Sequence, residues 1–266
     1  KMASLVIAGI MAVSMAACTK DSGDKDMGAL EKLTASGKLA IGTSADFPPY
    51  EFHKEINGKD TIVGFDIALA QAIADELGLK LEIKDMDFDG LLTALNAGTV
   101  DMVVAGMNPT AERALEVDFT KIYYTAEQTV LVKAENKDKY TSAASLAGLN
   151  IAAQKGTIQA DLVAEQIENA DIVALAKIPD LVMQLKSGMV EAIAVENAVA
   201  ESYAKANPDL AVATFQFEIA EDEKGAAIAV KKGSEDLIEK LNEILDKLIA
   251  DGKIDQFVVE ANEMVE

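Results

Sequence analysis

Leu95-Asn96-Ala97-Gly98-Thr99-Val100-Asp101-Met102-Val103-Val104-Ala105-Gly106 and Leu185-Lys186-Ser187-Gly188-Met189-Val190-Glu191-Ala192-Ile193-Ala194-Val195-Glu196 follow one plan. Each reads as a helix end, a glycine stop, an acidic residue, a buried apolar strand and a polar exit. The surrounding chain keeps the same rhythm. Leu39-Ala40-Ile41-Gly42-Thr43 reads as a strand, and Gly64-Phe65-Asp66 opens a helix that runs to Leu77, with Ile67, Ala70, Ile73, Ala74 and Leu77 at helical spacing and Gly78 as its stop. Leu79 to Ile83 is a strand, Leu91 to Asn96 a short helix closed by Gly98, and Met102 to Ala105 a buried strand. Gly37-Lys38-Leu39-Ala40-Ile41 is echoed by Gly148-Leu149-Asn150-Ile151. Alternation of this kind makes βαβ units on a mostly parallel sheet, although any two α/β units share some likeness. The fold class is α/β, in two lobes. Open α/β sheets hold ligands beyond the carboxyl ends of their strands, so two such lobes facing each other make a cleft.

Composition removes several classes of function. The chain has 266 residues, half of them hydrophobic, which is enough for one or two cored α/β domains. Its formal net charge is −21. A nucleic-acid binder needs the opposite sign, and an anionic membrane face would repel the surface, so no nucleic-acid partner is expected. There is one Cys and one His, which leaves no internal disulfide, no Cys/His zinc cluster and no standard nucleophile–histidine pair. No metal or cofactor is expected. His53, in Glu51-Phe52-His53-Lys54, reads as a solvated histidine where a strand enters a loop.

Residues 1–17 form an apolar run, Met2 to Ala17, broken by Ser4 and Ser14 and preceded by Lys1. That length suits a signal-peptide core, with part of its basic leader expected before Lys1, better than a membrane-crossing helix. Ala16-Ala17 lead into Cys18, which resembles a bacterial lipoprotein box with Met15 where Leu is usual. The alternative is an ordinary signal peptide with a chance Cys. Residues 18–30 then read as a lipidated Cys and a flexible tether, implying an extracytoplasmic protein anchored to the outer face of the bacterial cytoplasmic membrane, or a periplasmic one.

Four ordered blocks resemble the amino-acid-binding family of bacterial extracellular solute-binding proteins. They are Gly42-Thr43-Ser44-Ala45-Asp46-Phe47-Pro48-Pro49-Tyr50-Glu51-Phe52, Gly64-Phe65-Asp66-Ile67, Phe88-Asp89-Gly90-Leu91-Leu92-Thr93-Ala94-Leu95, and Gly106-Met107 with Thr110, Glu112 and Arg113. The resemblance implies a two-lobe periplasmic-binding-protein (Venus flytrap) fold joined by a two-segment hinge near Thr125–Thr129 and Glu221–Gly225. Lobe one would be 31–126 plus 226–266, and lobe two 127–225. It also implies a monomer that closes around a free amino acid by hinge motion and hands it to an ABC permease.

The chemistry of an amino acid assigns the site. Its carboxylate is best held by a planar bidentate donor, and of 24 basic residues one, Arg113, is an arginine. The family pattern puts the carboxylate-binding Arg there; the other reading is a surface pair with Glu112. Glu196 matches the family's ammonium-binding acid, commonly Asp, or it caps the helix that follows it. Phe47 and Phe88 match the stacking aromatics, with core packing as the alternative, and a cationic ligand would gain cation–π attraction from them. Gly106 and Asn108 would add backbone and amide contacts, and Gly156-Thr157 opens a helix carrying Gln159, whose free N–H groups suit a carboxylate. Ser44, Asp46 and Glu51 lie near the first loop, where an acidic pocket would favour a basic or polar ligand; Asp46 and Glu51 could equally be solvated. The same fold hosts dehydratases acting on cyclic acids and the ligand-sensing domains of receptors, and both stay as competing readings.

Overall fold

A computed structural model describes residues 27–265. The expected signal peptide, Cys18 and the tether as far as residue 26 lie outside the described residues. The chain begins with α1 (Ala29–Ser36) and β1 (Lys38–Thr43), followed by an antiparallel meander of β2 (Asp46–Phe47), β3 (Glu51–Ile56) and β4 (Lys59–Val63). Next come α2 (Phe65–Leu77), β5 (Lys80–Asp85), α3 (Leu91–Asn96), β6 (Met102–Val103) and β7 (Val117–Phe119). The second half runs through β8 (Gln128–Lys133), α4 (Ala143–Leu146), β9 (Asn150–Gln154), α5 (Ile158–Gln166) and β10 (Asp171–Leu175). It continues with α6 (Ile178–Ser187), β11 (Ala192–Glu196), α7 (Asn197–Ala206) and β12 (Leu210–Gln216). The chain then returns to the first half as β13 (Ala229–Lys231), α8 (Glu235–Ala250) and α9 (Lys253–Met264).

Two five-stranded sheets result, ordered β5-β1-β6-β13-β7 and β10-β9-β11-β8-β12. In the first, β5, β1 and β6 are parallel and β13 runs antiparallel to both its neighbours. In the second, β10, β9 and β11 are parallel and β8 runs antiparallel to both its neighbours. The repeated sequence therefore occupies the same place in each sheet: β6 and β11 are the third strands, each preceded by a helix and a glycine. Gly98 and Gly188 sit at φ 72° and 78°, a left-handed conformation in which a side chain would be strained. Each lobe keeps a parallel trio and adds an antiparallel pair, one strand of which is the segment that has just crossed between lobes. The strand expected over Met102–Ala105 is regular only at Met102–Val103; the Val104 N–H still donates to the Gly42 carbonyl of β1 at 3.1 Å, and the chain takes a left-handed turn at Gly106.

The chain passes between the sheets twice, between β7 and β8 and between β12 and β13, and the passes meet at the Tyr124–Ala226 bridge. Lobe one, used below for the first sheet with its helices and the meander, holds α2 by Phe65, Leu69, Ala70, Ile73 and Ala74, all buried. Burial of each large side chain there is worth about 1.5–3 kcal/mol. The apolar cluster continues from α2 through Phe47 and Tyr50 to Ile178 and Leu181 of α6 in lobe two, so the lobes share packed surface. His53 lies inside β3 rather than at a loop entrance. Partial burial lowers its proton affinity, but hydrogen bonds to Asp60 (2.9 Å) and Asp85 (3.3 Å) outweigh that and hold it above the ordinary histidine value.

Candidate functional site

β1, β6 and β9 all end at the seam between the lobes. The residues just beyond them line a narrow, nearly closed cavity: Ser44, Phe47, Glu51, Phe88, Ala105, Gly106, Asn108, Gln154, Thr157 and Gln159. Eight residues singled out in the sequence meet there: Ser44, Phe47, Glu51, Phe88, Gly106, Asn108, Thr157 and Gln159. Phe47 is held by Tyr50, whose ring lies 5.3 Å away and itself packs 4.2 Å from Phe65. Ser44 donates its hydroxyl to Asp46 at 3.1 Å. Thr157 stands at the N-cap of α5, but its hydroxyl donates to the Gln154 carbonyl at 2.7 Å rather than capping the helix. The first N–H groups of α5 are thus left for an anion.

Arg113 stands at the rim, half-buried, with its guanidinium 5.4 Å over the Phe88 ring. One terminal nitrogen donates to the Asn108 carbonyl at 2.8 Å and the other to the Gly156 carbonyl, across the seam, at 2.9 Å. Burial lowers its pKa to about 10, against the pull of Asp161, Glu112 and Glu223, so it stays cationic at neutral pH. The lobes pack tightly here: a Cβ on Gly156 would come within 2.8 Å of the Asp89 Cβ, so a side chain would push the seam apart. Lys155–Asp89 (2.7 Å) and Lys177–Asp87 (3.2 Å) bridge the same rim.

The opposite side of the cavity is acidic. Glu51 is fully buried, and neither carboxylate oxygen makes a regular hydrogen bond, although the Ser44 N–H and the Asp66 carboxyl are close. Burial, then Asp66, Asp46 and Glu196, push its pKa well above the usual carboxylate range. Asp66, at the start of α2, accepts from Tyr123 Oη and the Gly106 N–H, each at 2.8 Å; burial outweighs these and raises its pKa to about 6. Glu196 is not on the cavity wall. It occupies the N-cap position of α7 without capping it, and its carboxylate accepts from the Tyr50 hydroxyl of lobe one. Burial lifts it to about 8, with Asp66 adding to the rise and the Tyr50 bond opposing it. Asp46 is also off the wall, with its carboxylate turned to lobe two.

Of the two readings open for Asp46 and Glu51, an acidic pocket or solvated acids, the burial of both favours the first, with Glu51 on the wall. The signal lies in Pro49-Tyr50-Glu51-Phe52, where an acid sits between two aromatics in a strand that leaves the core. Gln154, Ala105, Asp66 and Tyr50 carry no site role in the sequence reading. Gln154 lies on a strand end like Glu196, and that position was the available clue.

Comparison with known proteins agrees with this geometry. Residues 39–260 match the bacterial extracellular solute-binding proteins, family 3. The arginine-binding extracellular protein ArtP of Bacillus subtilis is 35% identical over 259 residues, 95% of this chain and 94% of that one. ABC transporter arginine-binding protein 1 of Escherichia coli is 33% identical over 82% of this chain and 88% of its own. The crystal structure of the amino acid ABC transporter substrate-binding protein AbpA from Streptococcus pneumoniae bound to L-arginine superposes with a TM-score of 0.85 and 38% identity, covering 89% of this chain and 99% of that one. With two matched sheets, a cavity at their strand ends and this likeness along most of its length, the chain belongs to the bacterial extracellular solute-binding proteins of family 3.

Proposed function

We propose that this chain captures a cationic L-amino acid, arginine foremost, and delivers it to the permease of an ABC importer. The observation that carries the cationic choice is Glu51: a fully buried carboxyl on the cavity wall, without regular hydrogen bonds, whose nearest charged neighbours are all acids. A buried acid so placed is stabilised only by an incoming cation or by keeping its proton. Arginine-binding relatives support the same choice.

In this reading the ligand carboxylate sits at the Arg113 end, with the N-terminus of α5 and Asn108 beside it. Its side chain lies between Phe47 and Phe88, and its guanidinium faces Glu51. Glu196 reaches the acidic side from lobe two and partners the ammonium, sharing or exchanging its Tyr50 bond. The lobes would be 31–126 plus 226–266 and 127–225, closing as a hinge over a monomeric carrier held outside the cytoplasm through Cys18. Binding proceeds without chemistry. Glu196, whose raised pKa would suit a general acid, is taken up in this reading by the ligand ammonium. A thermal-shift screen over the twenty amino acids tests the reading, since a ligand that binds only the folded state raises Tm. Arginine should give the largest rise; a largest rise with an acidic or apolar amino acid would overturn the cationic assignment.

A further inference from the structure

Asp46 belongs to lobe one, yet its carboxylate and its carbonyl both accept from lobe two. Its carboxylate accepts from the Ile178 N–H at 2.9 Å and from the Gln154 side-chain amide at 3.3 Å, and its carbonyl accepts from the Tyr203 hydroxyl at 2.9 Å. Ile178 is the first residue of α6, and the residue at that helix's own N-cap, Lys177, has no side-chain acceptor to offer. The carboxylate therefore satisfies an N–H that its own helix leaves open and faces the positive end of a ten-residue helix. Ser44 steadies it from behind, within lobe one. The contact is buried, unlike the partly exposed lysine pairs on the rim, which water and salt screen. All of these lobe-two bonds would be given up if the lobes part.

We infer that Asp46 is a positioning residue, a latch that caps α6 across the cleft and favours the closed form for whichever ligand is bound. This rests on the hinge closure proposed above. A latch acts on the open–closed balance and multiplies every affinity by one factor, whereas a ligand contact changes the ratio between ligands.

The test pairs calorimetry with a distance measurement. L-Arginine and L-lysine are titrated into the parent and Asp46→Ala, and spin labels at Ile249→Cys and Met189→Cys, both exposed and on opposite lobes, report closure in a Cys18→Ser background. Asp46→Ala, which leaves the Ile178 N–H and the Gln154 amide without their acceptor, should weaken both ligands by the same factor, about tenfold, and lower the closed fraction with or without arginine. If that variant does not fold, Tyr203→Phe removes one latch bond from the other lobe and should shift both ligands equally by a few-fold. An altered arginine-to-lysine ratio makes Asp46 a ligand contact and overturns the latch. So do unchanged affinity and unchanged distances. If the parent binds neither amino acid, the functional reading fails, and the distances of the empty proteins still decide the latch.

Discussion

Replacing Glu51 with Gln keeps the shape of the side chain and removes its charge. Both carboxylate oxygens lack a regular partner, so both are available to a guanidinium, and each charge-assisted bond is worth about 1.5–3 kcal/mol. Gln retains one acceptor and turns a donor towards the cation, so a net loss of about 2–4 kcal/mol is expected, roughly 30- to 1,000-fold in Kd at 1.4 kcal/mol per factor of ten. The empty protein should respond in the other direction. An unpaired amide is cheaper to bury than a carboxyl pushed up by burial and by Asp66, Asp46 and Glu196, so its Tm should hold or rise. Calorimetry with L-arginine gives the first quantity and a melting scan the second. Arginine affinity within threefold of the parent, in a variant that folds, would refute the assignment of Glu51 to the ligand's cation.

The remaining expectations follow from the rim, the acids and the leader. Arg113→Lys should weaken arginine nearly as much as Arg113→Ala, by about 2–5 kcal/mol, because the flat fork and its bonds to the Asn108 and Gly156 carbonyls are lost even where a charge is kept; near-parental calorimetric affinity in the Lys variant would count against it. Glu196 is raised from 4.5 to about 8 and Asp66 from 3.8 to about 6, so between those values the empty folded protein holds more protons than the unfolded chain, and its stability falls as pH rises. A bound cation favours the ionised acids, so arginine should displace protons and bind more tightly at pH 8 than at pH 5.5. Calorimetry in two buffers of different ionisation heat checks this, and equal affinity with no buffer dependence would contradict it. Cys18→Ser should move the protein from the membrane fraction to the soluble one without altering ligand affinity, since stable anchoring needs more than one acyl chain and the diacylated Cys would supply them; continued sedimentation with membranes would exclude the anchor.

The lobes were legible because periodicity and glycine stops are local. The pattern from Phe65 to Leu77 and the paired strands around Met102 and Ala192 needed no knowledge of distant contacts. Arg113 stood out through its scarcity, and the residues following strands stood out through position. Glu51 and Asp46 were not legible in the same way. Whether an acid on a short strand is solvated or buried depends on what packs over it, and here the cover comes from Asp66 on α2 and from Gln154 and Ile178 in the other lobe, far along the chain. Glu196 illustrates the same limit. Its position at a strand exit was visible, but the Tyr50 hydroxyl that takes its carboxylate arrives from the opposite lobe.

The central claim is that a buried carboxyl selects a positively charged side chain in this cleft. Citrulline matches arginine in length and shape but carries no charge, so competitive calorimetric titration of the purified protein with the two compares charge alone. Arginine should bind at least about 30-fold more tightly than citrulline, the equivalent of about 2 kcal/mol. Equal binding of the two, in a protein that does bind arginine, would contradict the claim.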